Sequence, residues 1–228
     1  MAMSGGQLAG KISAIRADSL REQVTRALEA AVVAGELKPG EIYSAPVLAE
    51  QFGVSATPVR EAMLDLVGEG FVEPVRNRGF RVVEISDADL DEISEIRLLI
   101  EVPTIAKIAD RLTEAKVAEL DAVAQAIEDA AVGGDLLGYL DSDRRFHVAL
   151  VACLGNDRLT DLVDRLRRQA RLFGLQQLSD SGRLIASAHE HRELLQTLQR
   201  GDAERAEAMM RAHIVHTRGL WVGREDET

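Results

Sequence analysis

The five histidines of this 228-residue chain are His147, His189, His191, His213 and His216, all in its second half. Asp143 stands four residues before His147, so on a helix both side chains leave one face. His191 belongs to a later helical stretch and His213 to the last. A helical bundle can bring such faces together around an internal site. One carboxylate and up to three imidazoles form a mixed oxygen and nitrogen set, which suits zinc, nickel, manganese or iron better than calcium. Spacing alone still favours the plainer arrangement, in which the histidines are separate surface and core residues that never meet. A metal-dependent hydrolase is a rival use of such a set, because a bound metal can activate water. Against it, the chain has no His-Glu-x-x-His and no nucleophile motif, and His189-Glu190-His191 is too short for that pattern.

A second set of candidates lies nearer the N-terminus, in the run from Leu48 to Ala62. Leu48, Ala49, Phe52, Val54, Val59 and Met63 are spaced to make a small core. Ser55, Thr57 and Arg60 are left at the start of a helix, with Pro58 in its first turn. Short polar groups and free helix N–H groups there suit a phosphate, and Arg60 can reach a phosphate or a guanine edge. Downstream, Arg76 and Arg78 are placed to track a nucleic-acid backbone or minor groove, with Gly79 at a sharp turn. Two helices joined by a glycine turn and followed by a β-hairpin make a winged helix-turn-helix, whose third helix enters the major groove. The rival reading is a generic three-helix unit used for protein contacts.

These residues need particular elements to hold them. Leu20, Val24, Leu28 and Val32 recur every fourth position along a first helix that Gly35 stops. Ser44 caps a short second helix through Phe52, and a third helix runs from about Thr57 to Glu69, ended by Gly70. Residues 71–74 and 80–83 are expected strands joined by a turn at 76–79. Beyond residue 85 the punctuation changes and helical patterns take over. The expected helices are 88–111, 114–131, 134–153, 156–177, 183–200 and 202–221, with breaks at Gly133-Gly134, Gly155-Asn156, Ser181-Gly182 and Gly201-Asp202. Ser86 or Asp87 caps the first of them, and Pro103 kinks it. The fold class expected is mainly α. It comprises a disordered tail over 1–13, a winged helix-turn-helix over 14–84, a linker at 85–88, an all-helical bundle over 89–222 and a tail over 223–228.

Composition sets limits on these readings. The net charge is −11, but residues 1–84 carry 9 Lys and Arg against 11 Asp and Glu, so most of the acidity belongs to the helical part. The positive charges of the first part cluster late, at Arg76, Arg78 and Arg81, a modest electrostatic footprint for nucleic acid. No apolar run is long enough to span a membrane, and residues 1–11 have no apolar segment resembling a signal peptide. The single cysteine, Cys153, cannot form an internal disulfide and fits a reducing cytoplasm, as a buried thiol in the apolar run 148–154. Charge runs such as Asp164-Arg165-Leu166-Arg167-Arg168 are read as solvated helix faces.

The order Leu-Ala-Glu, Gly-Val-Ser, Thr-Pro-Val-Arg-Glu-Ala and Gly-Phe-Val over residues 48–72 resembles the winged helix of the GntR family, across roughly residues 14–84. That family usually has arginine where Ala56 stands and often near Pro46, both as DNA contacts. These departures leave Arg60 as the main matching arginine and imply weaker or altered operator reading. Residues 89–222 resemble the FCD ligand-binding domain of the FadR-type branch. The resemblance is carried by Glu95 to Glu101, Arg144 to His147, Glu190-His191-Arg192 and the stretch from Gly201 to His213. It implies a metal, zinc first, on Asp143, His147, His191 and His213, and gives His189 and His216 no ligand position. It also implies that Arg97 lies beside an effector pocket, gripping a small organic acid through two hydrogen bonds. Without the resemblance, Arg97 reads as an exposed ion pair with Glu101, worth a few tenths of a kcal/mol. The implied whole is a homodimer on a palindromic DNA operator. An architectural DNA-binding protein with no effector is the remaining alternative.

Overall fold

The computed structural model describes residues 19–170 and 183–221. The expected tails, the end of the helix read as 156–177 and the break at Ser181-Gly182 lie outside the described residues. Helix α1 (Leu20–Val33) opens on a capping box in which Ser19 and Glu22 satisfy each other's backbone N–H groups. Val24, Leu28 and Val32 are buried as their spacing predicts, but Leu20, at the very start, is 49% exposed. A short strand β1 (Ile42–Tyr43) precedes α2 (Ala45–Phe52) and α3 (Ala56–Glu69). Ser44 and Ser55 occupy the N-cap positions of α2 and α3, yet neither side chain bonds a helix N–H. Gly53 and Gly70 end the two helices in the left-handed conformation. Leu48, Ala49, Val59 and Met63 form the expected core, whereas Phe52 is exposed and Val54 only half-buried.

The hairpin strands β2 (Val72–Val75) and β3 (Gly79–Val82) pair antiparallel, each one residue from its expected bounds. β1 adds to the other edge of β3, giving the order β1-β3-β2. This third strand was not expected, because two residues cannot display an alternating pattern. Asn77, with φ 60, carries the left-handed turn at the tip. Gly79 has a different task from the tip turn expected of it. Its φ is 132, and a Cβ there would sit 2.2 Å from the carbonyl oxygen of Tyr43. Gly79→Ala is therefore expected to destabilise the protein by more than about 1 kcal/mol. Gly68→Ala, inside α3 with nothing within 4 Å of the new methyl, should be stabilising by about 0.5–1 kcal/mol. Urea unfolding of the two variants checks this, and equal midpoints would refute the close approach of β1 and β3.

The helical part begins with α4 (Asp87–Ile108), capped by Ser86 in a second capping box with Asp89. Pro103 lies inside α4 without ending it, and a single 3₁₀ turn (Ala109–Arg111) follows. Then come α5 (Glu114–Gly133), α6 (Leu136–Ala152), α7 (Asp157–Gln169), α8 (Arg183–Gln199) and α9 (Ala203–Trp221). α5 packs on α6 and α8, α4 on α9, and α6 on α7. Phe146, Leu150, Leu120, Ile127, Leu195 and Ile105 fill the space between them. Cys153, at the end of α6, is half-buried rather than buried, and burial raises its thiol pKa, so it stays protonated. The winged helix and the bundle touch through α1 and α6. A cleft of about 440 Å³ between them is lined by residues including Arg26, Phe71, Arg144 and Arg168. No helix among the described residues is long and apolar enough to cross a membrane.

Candidate metal centre and DNA-reading face

Asp143 and His147 leave the inner face of α6, His191 comes from α8 and His213 from α9. Their four ligand-type atoms all lie within 4.8 Å of one another. His191 Nε2 is 2.9 Å from Asp143 Oδ1 and 3.1 Å from His147 Nε2. The same carboxylate oxygen lies 3.7 Å from His147 Nε2 and 3.9 Å from His213 Nε2. All three imidazoles are buried. Phe146 holds two of them edge-on, with ring centroids 5.4 Å from His147 and 5.1 Å from His191. The arrangement in which these histidines never meet does not occur.

Hydrogen bonding around the ring nitrogens shows what the cluster lacks. His191 Nδ1 is 3.1 Å from the carbonyl oxygen of Ser187, an acceptor, so Nδ1 carries a hydrogen. In the neutral ring Nε2 then presents a lone pair to Asp143 Oδ1, acceptor against acceptor. His213 Nδ1 is 2.6 Å from Glu190 Oε2 and donates to it, which leaves Nε2 with a lone pair. That Nε2 is buried with no hydrogen-bond partner, and so is His147 Nδ1. Buried polar atoms without partners are rare in proteins. A cation at the point where Asp143 Oδ1 and the Nε2 atoms converge would take the lone pairs of His191 and His213 and the carboxylate together, leaving only the outward His147 Nδ1 without a partner, so the donor set fits a divalent transition metal.

The ionisation states of Asp143, His147 and His213 are those a metal needs. Burial lowers the His147 pKa well below the usual value, and the charge of Arg167 adds to the effect. Burial also lowers His213, outweighing the raising effect of its bond to Glu190. For Asp143 burial acts to raise the pKa. Its polar surroundings, the Arg167 guanidinium among them, outweigh this, so the carboxyl is held well below the usual range.

Arg167, read from the sequence as part of a solvated charge run, is buried on α7 and faces this centre. Its Nη1 donates to Asp143 Oδ2 at 3.1 Å, while Nε and Nη2 donate to Glu101 Oε2 at 3.0 and 2.5 Å. Arg97 Nε donates to the other oxygen of Glu101 at 2.8 Å. The Arg97–Glu101 pair is therefore not an exposed one, since both residues are 2% exposed. The terminal amino groups of Arg97 have no hydrogen-bond partner among the described residues. Two guanidiniums hold Glu101 ionised against its burial.

Above the cluster lies a cavity of about 160 Å³, bordered by His147, Glu190, His191, Leu194, Met209 and His213. Arg97 is not among the residues lining it. Glu190, which the sequence offered only as part of the resemblance and with no role of its own, also holds His216, with Nδ1 3.0 Å from Oε1. His189 is exposed and stands apart from the four.

On the winged helix, Ser55 and Thr57 are exposed at the N-terminal end of α3, with Pro58 half-buried and Arg60 exposed a turn further on. Arg76 and Arg78 are exposed in the hairpin turn. Arg60, Arg76 and Arg78 have no ion-pair partner among the described residues. Arg81 is instead paired with Glu73 across the hairpin, at 2.7 Å.

Comparison with known proteins agrees with this division. The sequence model of bacterial regulatory proteins of the gntR family matches residues 20–82, and that of the FCD domain matches residues 92–216. The chain is 33% identical to the HTH-type transcriptional regulator McbR of Escherichia coli (strain K12) over 148 residues, 65% of this chain and 67% of McbR. It is 27% identical to the HTH-type transcriptional regulator LutR of Bacillus subtilis (strain 168) over 217 residues, 85% of this chain and 97% of LutR. The solved structure of E. coli McbR/YncC superposes with a TM-score of 0.68 at 28% identity, covering 90% of this chain and 98% of that one. With a winged helix that matches one model and a helical bundle, more than half of the chain, that matches the other, the protein belongs to the GntR family of transcriptional regulators, in the branch whose second domain is FCD.

Proposed function

We propose that this regulator binds a divalent transition metal, zinc first, on Asp143, His147, His191 and His213, and through it a small carboxylate that alters operator binding. The observation that carries the reading is the convergence of the four residues with the buried His213 Nε2 left unpartnered among them. The metal would supply positive charge and open coordination positions for ligand oxygens. Counted without it, the buried group is balanced, with Arg97 and Arg167 against Glu101 and Asp143. With ionised Glu190 at the cavity edge counted as well, a divalent ion leaves one positive charge in excess, which favours an anionic ligand. Arg97, with amino groups to spare, is the proposed effector contact, although it is buried and lies off the lining of the cavity.

Ser55, Thr57, Pro58 and Arg60 at the start of α3 are the proposed major-groove contacts. Arg76 and Arg78, with Gly79 shaping the strand behind them, are the proposed wing contacts. Two copies reading the half-sites of a palindrome complete the proposal. Exposed Ile96 and Leu99, 42% and 70% accessible on α4, offer apolar surface for such a pairing. The hydrolase reading is set aside because the relatives are named as transcriptional regulators. An effector can switch DNA binding only by preferring one of two states.

Selection of duplexes by the full chain, followed by anisotropy titrations, tests the reading. Arg60→Ala should weaken binding to the selected duplex by about 1–3 kcal/mol if it contacts a base. Small carboxylates should change wild-type affinity when zinc is present and not after chelation. Carboxylates that never change the affinity would leave the architectural alternative standing.

A further inference from the structure

Glu190 occupies a place that neither the ligand set nor the DNA-reading face explains. It lies on α8 immediately before His191, yet its side chain turns to α9. There Oε2 is 2.6 Å from His213 Nδ1 and Oε1 is 3.0 Å from His216 Nδ1. Both carboxylate oxygens are thus engaged by imidazoles of one helix, three residues apart. Glu190 is about one-third exposed, whereas the His213 side chain is 5% exposed, so the carboxylate reaches from the cavity edge to a buried ring.

We propose that Glu190 is a positioning residue, fixing His213 in the Nδ1–H tautomer so that its Nε2 lone pair faces the metal centre. This rests on the metal reading of the four residues above. A neutral imidazole has one hydrogen for two nitrogens, and only the nitrogen without it can bind a metal. His213 Nε2 has no other partner, so nothing at that end selects the tautomer. The carboxylate at Nδ1 selects it and also raises the basicity of the far nitrogen. The other two rings are set differently. His191 Nδ1 is held by backbone carbonyls of its own helix, and His147 Nδ1 has no partner. Glu190 is thus the only side-chain carboxylate among the described residues that holds the outer nitrogen of one of the three ligand rings. His216 secures the oxygen that His213 does not use, which keeps the carboxylate from turning into the cavity.

The test uses the full chain stripped of metal and titrated with zinc against a chromophoric chelator. Glu190→Ala should bind zinc about 10–100-fold more weakly than wild type. Glu190→Gln should recover part of the loss, because its amide oxygen still accepts from Nδ1. Two-bond ¹H–¹⁵N spectra of the metal-free protein supply a readout that a merely structural role would not move. His213 should be in the Nδ1–H form in wild type and shift towards the other tautomer in Glu190→Ala. Equal zinc affinity of wild type and a folded Glu190→Ala, with His213 keeping the same tautomer, would overturn the assignment. Failure of the unsubstituted protein to bind zinc would instead overturn the metal reading on which it rests.

Discussion

Replacing Arg167 by Met is expected to cost about 3–5 kcal/mol of stability, the largest loss of any single substitution considered. The change keeps much of the side chain's bulk and removes the charge that sits between Glu101 and Asp143. Glu101 would keep only Arg97, and Asp143 Oδ2 would lose its 3.1 Å donor. A buried carboxylate left without its partner carries the full cost of desolvation. A surface pair on the same helix face, as the sequence suggested, would contribute less than about 1 kcal/mol. Arg165→Ala is the control, since Arg165 is exposed and has no ion pair among the described residues. It should stay within about 0.5 kcal/mol of wild type. Urea unfolding at neutral pH separates the two, and equal losses would show that Arg167 does not bear on the core. The metal's own charge beside Asp143 partly replaces that of the guanidinium, so the loss should be larger in chelator-treated protein.

Zinc is expected to stabilise the wild-type chain and not His213→Ala. At free zinc about 100-fold above the dissociation constant, binding to the folded state alone adds about 2.7 kcal/mol. For a chain of this length that is a rise of roughly 5–11 °C in Tm. His213→Ala removes one ligand nitrogen and leaves Glu190 its bond to His216, so the fold keeps most of its contacts while the site loses a member. Differential scanning fluorimetry with zinc and with chelator reads the difference. A shift of the same size in both proteins would place zinc elsewhere, and no shift in wild type would remove the site.

Much of the winged helix was legible because its signals are local. Gly53, Pro58 and Gly70 each fix a turn or a helix end within a few residues, and the expected bounds were met within one residue. β1 was missed because it exists only through its pairing with β3, thirty-odd residues on. The four-residue centre is another matter. Spacing put Asp143 and His147 on one face but favoured scattered histidines, and the family resemblance was needed to join α6, α8 and α9. Arg167, and Arg97 when read without the resemblance, pass for solvated residues because charge is taken as a sign of solvent. Their helical positions pointed the other way. Arg167 follows Val163 by four and precedes Ala170 by three, on the buried stripe of α7. Arg97 and Glu101 continue the stripe of Leu90 and Ser94 towards Ile105 and Ile108. Glu190 left no comparable trace, since its role depends on how closely α9 approaches α8.

The central claim is that Asp143, His147, His191 and His213 hold a metal, and elemental analysis of the full chain purified without chelators tests it most directly. One divalent transition ion per chain in wild type, absent from His191→Ala, is the predicted result for a single four-residue site. Wild-type protein without metal, or equal metal in both proteins, would contradict it.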